Sequence, residues 1–129
     1  MPLRRERPAP ARGFYVAPTL FADCTPVMRA VREEIFGPVV TVVPFDDEEE
    51  GVALANDSDY GLLDYVWSGD VARAFRVAGR LRAGGGGINT VGRDMEAPFG
   101  GFKRSGVGRD VGSYALHAYS ELQAIVWPG

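Results

Sequence analysis

Five consecutive residues, Val39-Val40-Thr41-Val42-Val43, carry a branched Cβ. Branching leaves the side chain few rotamers in a helix and suits it to a pleated strand. The run does not alternate apolar with polar, so it reads as a strand buried on both faces. Such strands belong to parallel sheets covered by helices. Gly37-Pro38 in front of the run makes a corner that feeds the chain into it.

The neighbouring segments fit that architecture. Phe14 to Phe21 reads as a strand, bent or at an edge because of Pro18. Thr25 offers an N-cap, Pro26 a first helical position, and Val27 to Arg32 a helix. Tyr65-Val66-Trp67 reads as a third strand. Asp70 caps an amphipathic helix whose apolar stripe is Val71, Ala74, Phe75, Ala78 and Leu81, with Arg73, Arg76 and Arg80 opposite. Gly84 to Gly87 ends that helix, and Ile88-Asn89-Thr90 is a short strand. A loop runs from Val91 to Gly108, Val111 to Ala118 is a helix, and Leu122 to Trp127 is a last strand. Strands alternating with helices predict an α/β fold with a mostly parallel sheet flanked by helices.

With 129 residues the chain suits one domain. Its net charge of −3 gives no electrostatic basis for nucleic acid or an anionic membrane. The arginines between Arg73 and Arg82 read as a solvated helix face. No apolar run approaches the roughly 20 residues that span a bilayer. One cysteine, Cys24, excludes an internal disulfide and fits a reducing, cytoplasmic setting. The N-terminal residues 1–12, rich in Pro and Arg, read as an irregular lead-in and not as a secretory signal.

Asp46 to Glu50 is an unbroken acidic run. It reads as the first turn of a helix, where carboxylates complement the dipole, in preference to a metal site. Glu34 stands just before the Gly-Pro corner, and Phe36 two residues on. The residues alone leave two readings open. Glu34 can end a helix at the surface with Phe36 in the core. Alternatively, the carboxylate can accept both hydroxyls of a ribose at a strand end while Phe36 covers a flat ring. Downstream, Pro98-Phe99-Gly100-Gly101-Phe102-Lys103-Arg104-Ser105-Gly106-Val107-Gly108-Arg109 is glycine-dense, as a close backbone approach requires. It lacks the Gly-Lys-Ser/Thr ending of a phosphate loop, and Gly106-Val107-Gly108 with Gly112 misses the dinucleotide fingerprint by one position.

Glu33-Glu34-Ile35-Phe36-Gly37-Pro38-Val39 and the Pro98–Arg109 block resemble the C-terminal part of the NAD(P)-dependent aldehyde dehydrogenase superfamily. Phe14-Tyr15-Val16-Ala17-Pro18-Thr19-Leu20, Ala53 to Leu62 and Ile88-Asn89-Thr90 extend the resemblance from Gly13 to Trp127. It implies that Glu34 binds the hydroxyls of the nicotinamide ribose, that Phe36 packs near the nicotinamide, and that Phe99 lines the substrate tunnel. The loop from Val91 to Ala97 would be the variable segment that contacts substrate. The implied organisation is a lead-in over 1–12, part of the catalytic domain over 13–119, and an oligomerisation strand over 120–129. The implied chemistry is oxidation of an aldehyde to a carboxylic acid through a cysteine thioester, with NAD or NADP as hydride acceptor.

The family's nucleophile sits in a Gly-Gln-x-Cys motif upstream of the matched region, and Cys24 is not in that context. Asp23 beside it is the opposite of the electropositive setting a thiolate needs. The family's general-base Glu, oxyanion-holding Asn and adenosine site also lie upstream. No residue here is therefore assigned as catalytic, no metal ligand is assigned, and the chain alone is expected to be inactive. The alternative role is a non-catalytic assembly module, pairing through its terminal strand with itself or a related full-length subunit. Two residues depart from the family pattern: glycines at 84 to 87 where β-formers are usual, and Asp64 where small residues are usual.

Overall fold

Pro38 lifts the chain into the first parallel pair, because its carbonyl accepts the Thr19 amide at 2.8 Å. The computed structural model describes residues 2, 3, 10 and 12–129, and the remaining lead-in positions lie outside the described residues. Two units emerge, Met1–Leu54 and Ala55–Gly129.

In the first unit, β1 (Pro2–Leu3), β2 (Thr19–Phe21) and β3 (Val39–Thr41) form one sheet in that order. β1 runs antiparallel to β2, so two residues of the expected lead-in are in a ladder. β2 and β3 are parallel, pairing Thr19 with Val39 and Phe21 with Thr41. The helix between them, α1, covers only Arg29–Arg32. The expected cap at Thr25 is instead a turn: Thr25 O accepts the Met28 amide, and Met28 is extended, which stops helix from reaching back to Pro26. β2 is likewise shorter than the expected Phe14–Phe21, and Phe14, Tyr15 and Val16 lie exposed ahead of it.

β3 is not buried on both faces. Val39, Thr41 and Val43 are half-covered, while Val40 and Val42 face solvent. The β-branched run specifies strand geometry, but covering both faces takes more chain than these residues supply. α2 (Glu48–Asn56) opens as its acids predict: Asp47 Oδ1 accepts the Glu50 amide at 2.9 Å, and Glu50 Oε2 accepts the Asp46 amide at 2.7 Å.

The second unit is built on a parallel crossover. β5 (Leu63–Val66), α3 (Val71–Ala78) and β6 (Gly85–Ile88) follow one another, with Leu63 opposite Gly85 and Val66 opposite Ile88. Asp70 Oδ1 caps α3 by accepting the Arg73 amide at 3.0 Å. α3 ends at Ala78, a turn earlier than the stripe through Leu81 suggests, and Gly79 caps it. The strand that follows starts in the glycines, three residues before the expected Ile88-Asn89-Thr90, and ends at Ile88, two residues before its end. β4 (Tyr60–Gly61) pairs antiparallel with β7 (Phe102–Lys103), inside the segment expected as loop. Gly112–Tyr114 is a 3-10 turn leading into α4 (Ala115–Ala118).

The fold is thus α/β, with parallel pairs in two small sheets and antiparallel pairs beside them. Residues 120–129, expected to hold a final strand, form no ladder with the described residues. Among the described residues the buried apolar side chains are Ala17, Cys24, Val52 and Ala74, all small or medium. Phe75 on the α3 stripe remains 66% exposed. Each large apolar side chain left in water forgoes about 1.5–3 kcal/mol of burial.

Candidate functional site

The Glu34–Phe36 segment bridges α1 and β3. Glu33, not Glu34, closes the helix: it is the C-cap, and its carboxylate takes Arg29 Nε at 2.8 Å and Nη2 at 3.1 Å. That contact with Arg29 holds the Glu33 carboxyl below the usual carboxylate range. Both groups are fully in solvent, so the pair adds little stability. Glu34 is exposed and engages no described residue. The chain then turns sharply, with the Gly37 amide donating to Ile35 O and the Val39 amide to Gly37 O. Phe36 is 92% exposed, which rules out the core position that its type alone allowed. A free carboxylate and an uncovered ring, two residues apart on a tied corner, suit a diol and a flat ring.

Phe99 belongs to the second unit and is held from its backbone. Its amide donates to Asp110 O and its carbonyl accepts the Asp110 amide, both at 2.7 Å. The ring is half-buried, and the Arg93 guanidinium lies 4.2 Å from its centroid. Phe99 borders a hollow of about 250 Å3 shared with Leu63, Tyr65, Met95, Arg93 and Asp94. The Val91–Ala97 loop therefore does lie against Phe99.

Several polar residues of these sequence blocks act as clamps, a role their types alone did not reveal. Asn89 donates to Ser68 O at 2.9 Å and accepts the Ser68 amide at 2.8 Å, tying the end of β6 to the loop after β5. Asn56 does the same for the turn after α3, donating to Arg80 O and accepting the Arg82 amide. Lys103 Nζ donates to Asn56 O and Ser58 O, both at 2.9 Å, where the end of a helix offers free carbonyls. Ser105 Oγ accepts the Gly61 amide at 3.0 Å. Arg109 Nη1 donates to Gly101 O and Gly108 O. For Asn56, Asn89, Lys103 and Ser105 the only sequence hint is a polar side chain beside a turn, and the partners lie 20 to 50 residues away; Arg109 ties its own loop.

Asp64 lies on the α3 side of β5, beside a second hollow lined by Phe75 and Leu81. Partial burial pushes its carboxyl up, and the Lys103 ammonium pulls it partly back. The folded chain then keeps a proton that the unfolded chain has already released. Stability is lost as pH rises from the ordinary aspartate range through the raised value, and the penalty is full above it. Asp64→Asn is expected to raise Tm modestly at neutral pH and to leave it unchanged in acid. Thermal unfolding followed by circular dichroism at both pH values checks this.

Cys24 is 5% exposed, and its thiol donates to Phe21 O at 3.5 Å. It is a packed side chain at the end of β2, closed to substrate.

The model of the aldehyde dehydrogenase family matches residues 3–125. Among curated relatives, an aldehyde dehydrogenase of Agaricus bisporus is 46% identical over 114 residues, which cover 88% of this chain and 23% of that protein. A betaine aldehyde dehydrogenase of Brucella melitensis is 46% identical over 115 residues, 88% of this chain and 24% of that protein. Among solved structures, the Mycobacterium tuberculosis aldehyde dehydrogenase complexed with NAD+ superposes with a TM-score of 0.86 at 41% identity, over 90% of this chain and 24% of that one. The aldehyde dehydrogenase KauB of Pseudomonas aeruginosa gives 0.83 at 50% identity, over 86% and 23%. The chain thus spans about a quarter of the length of the curated relatives it matches.

Proposed function

Because this chain belongs to the aldehyde dehydrogenase family, we propose that it supplies the nicotinamide-ribose contact and one wall of the aldehyde tunnel in NAD(P)-dependent aldehyde oxidation. The observation that carries this reading is the corner at Gly37-Pro38, which leaves Glu34 unengaged and Phe36 uncovered. Glu34 would accept the two ribose hydroxyls and Phe36 would lie against the nicotinamide, which when bound accepts hydride from the aldehyde carbon. Phe99 would exclude water from the aldehyde. Orientation of this kind can be worth up to about 7–11 kcal/mol of barrier in a complete site. It does not replace the attacking thiolate, so the chain alone is inactive on this reading. Residues 13–119 would then be part of the catalytic domain, working in the cytoplasm. Among the described residues no helix is long and apolar enough to cross a membrane.

Reading the coding sequence upstream of Met1 tests this. An in-frame Gly-Gln-x-Cys motif there supports the assignment. An unrelated upstream sequence removes it and leaves assembly as the function.

That second reading rests on its own observation. Leu122, Ile125, Val126 and Trp127 are all exposed, Trp127 at 87%, on a segment without a ladder. An apolar strand with free edges pairs readily with another chain. A homo-oligomer, or pairing with a related subunit, would cover it. Deleting residues 120–129 is expected to convert self-associated chain to monomer in sedimentation velocity. A full-length chain that sediments as a monomer with this segment protected from hydrogen exchange would sink the assembly role.

A further inference from the structure

The hollow beside Phe99 has a charge that the functional reading above does not use. On β5, Leu63 and Tyr65 point to this hollow while Asp64 points to the other face, as strand alternation requires. The glycines of β6 make room for them. The Leu63 Cδ2 and Tyr65 Cδ1 atoms both lie 3.2 Å from where a Cβ would stand on Gly85 and Gly87. The floor is therefore built by β5 side chains lying across a bare β6. Phe99 and Met95 supply the apolar wall.

Arg93 stands over that wall. Its guanidinium is stacked on Phe99, and its N–H groups have no hydrogen-bond partner among the described residues. Stacking holds a planar guanidinium in place and leaves its N–H edge free. Asp94 also lines the hollow; its Oδ1 accepts the Glu96 amide, which fixes it in the turn, and its charge weakens the pull of Arg93 on an anion. Among the described residues Arg93 is the one cation lining this hollow of about 250 Å3.

We infer that Arg93 selects a small aldehyde carrying a carboxylate, with Phe99 against its carbon chain and the guanidinium on its charged end. The inference rests on Phe99 being an aldehyde wall. A guanidinium pairs with a carboxylate through two parallel charge-assisted hydrogen bonds, whereas an uncharged tail gains nothing from it and a quaternary ammonium is repelled.

The test is ligand-observed saturation-transfer NMR on the full chain at low salt, a readout that tolerates self-association. The probes are 4-oxobutanoate, butanal and trimethylammonioacetaldehyde. The expected result is about tenfold tighter binding of 4-oxobutanoate than of butanal, with the cationic aldehyde weakest. Arg93→Gln should equalise the first two, Arg93→Lys should keep part of the preference, and Asp94→Asn should increase it. Phe99→Ala should weaken all three. Equal binding of 4-oxobutanoate and butanal, with both weakened by Phe99→Ala, overturns the charge selection and leaves the aldehyde wall standing. Binding of neither, or binding indifferent to Phe99→Ala, overturns the wall and the selection together.

Discussion

Supplied with an aldehyde and NAD+ or NADP+, the 129-residue chain is expected to form no reduced cofactor above the uncatalysed background. Covalent aldehyde oxidation needs a thiolate that can reach the carbonyl carbon. The one thiol of the chain, Cys24, is buried, hydrogen-bonded to the Phe21 carbonyl and flanked by Asp23. Uncovering it would expose the end of β2. Glu34, Phe36 and Phe99 would position reactants, and positioning accelerates only a step that has a nucleophile. Absorbance of NADH with purified chain, against chain carrying Cys24→Ala, decides the matter. Turnover that survives the substitution would mean that a different group attacks the aldehyde. Turnover lost on substitution would mean that Cys24 opens to solvent.

Gly84→Val is expected to unfold the second unit, while Gly85→Val one residue on is expected to leave it folded. A Cβ on Gly84 would overlap the carbonyl oxygen of Gly100, and a Cβ on Gly86 would overlap that of Asp64. Both obstacles are backbone, held in the β5–β6 ladder or in the turn before β7, and cannot step aside. Large losses come from overpacking of this kind, on the order of 3 kcal/mol or more. At Gly85 the nearest atom is Leu63 Cδ2 at 3.2 Å, the tip of a side chain that can rotate away. Valine there also adds β-propensity to a strand of glycines. Urea unfolding of the two variants separates the cases. A Gly84→Val chain as stable as wild type would mean that the Gly100 segment does not lie against β6.

The same glycines mark the border of what the residues alone disclosed. Read locally, Gly84 to Gly87 is a helix stop and a poor strand. In the fold Gly85 to Gly87 lie in the second strand of a crossover, and neighbouring backbones come too close for any side chain at 84 and 86. Asp64 is a second case. Its type predicts solvent, yet its position on β5 turns it under α3 and raises its carboxyl. The helix over Glu48–Asn56 and the Asp70 cap were legible, since their cues lie within one turn of the residues they govern. Thr25 caps no helix because Met28 breaks from helical geometry, which no nearby residue announces.

The sequence by itself determined the family, the α/β class and the identity of Glu34, Phe36 and Phe99 as the residues to watch. Motif and periodicity are local information, carried by residues a few positions apart. The tertiary structure alone decided that Phe36 is uncovered, that Asn56, Asn89 and Lys103 serve as clamps, and that Arg93 stacks on Phe99. Those outcomes depend on register and on backbone approach between segments 20 to 50 residues apart or on the course of a loop. Such contacts exist only once the chain has closed on itself.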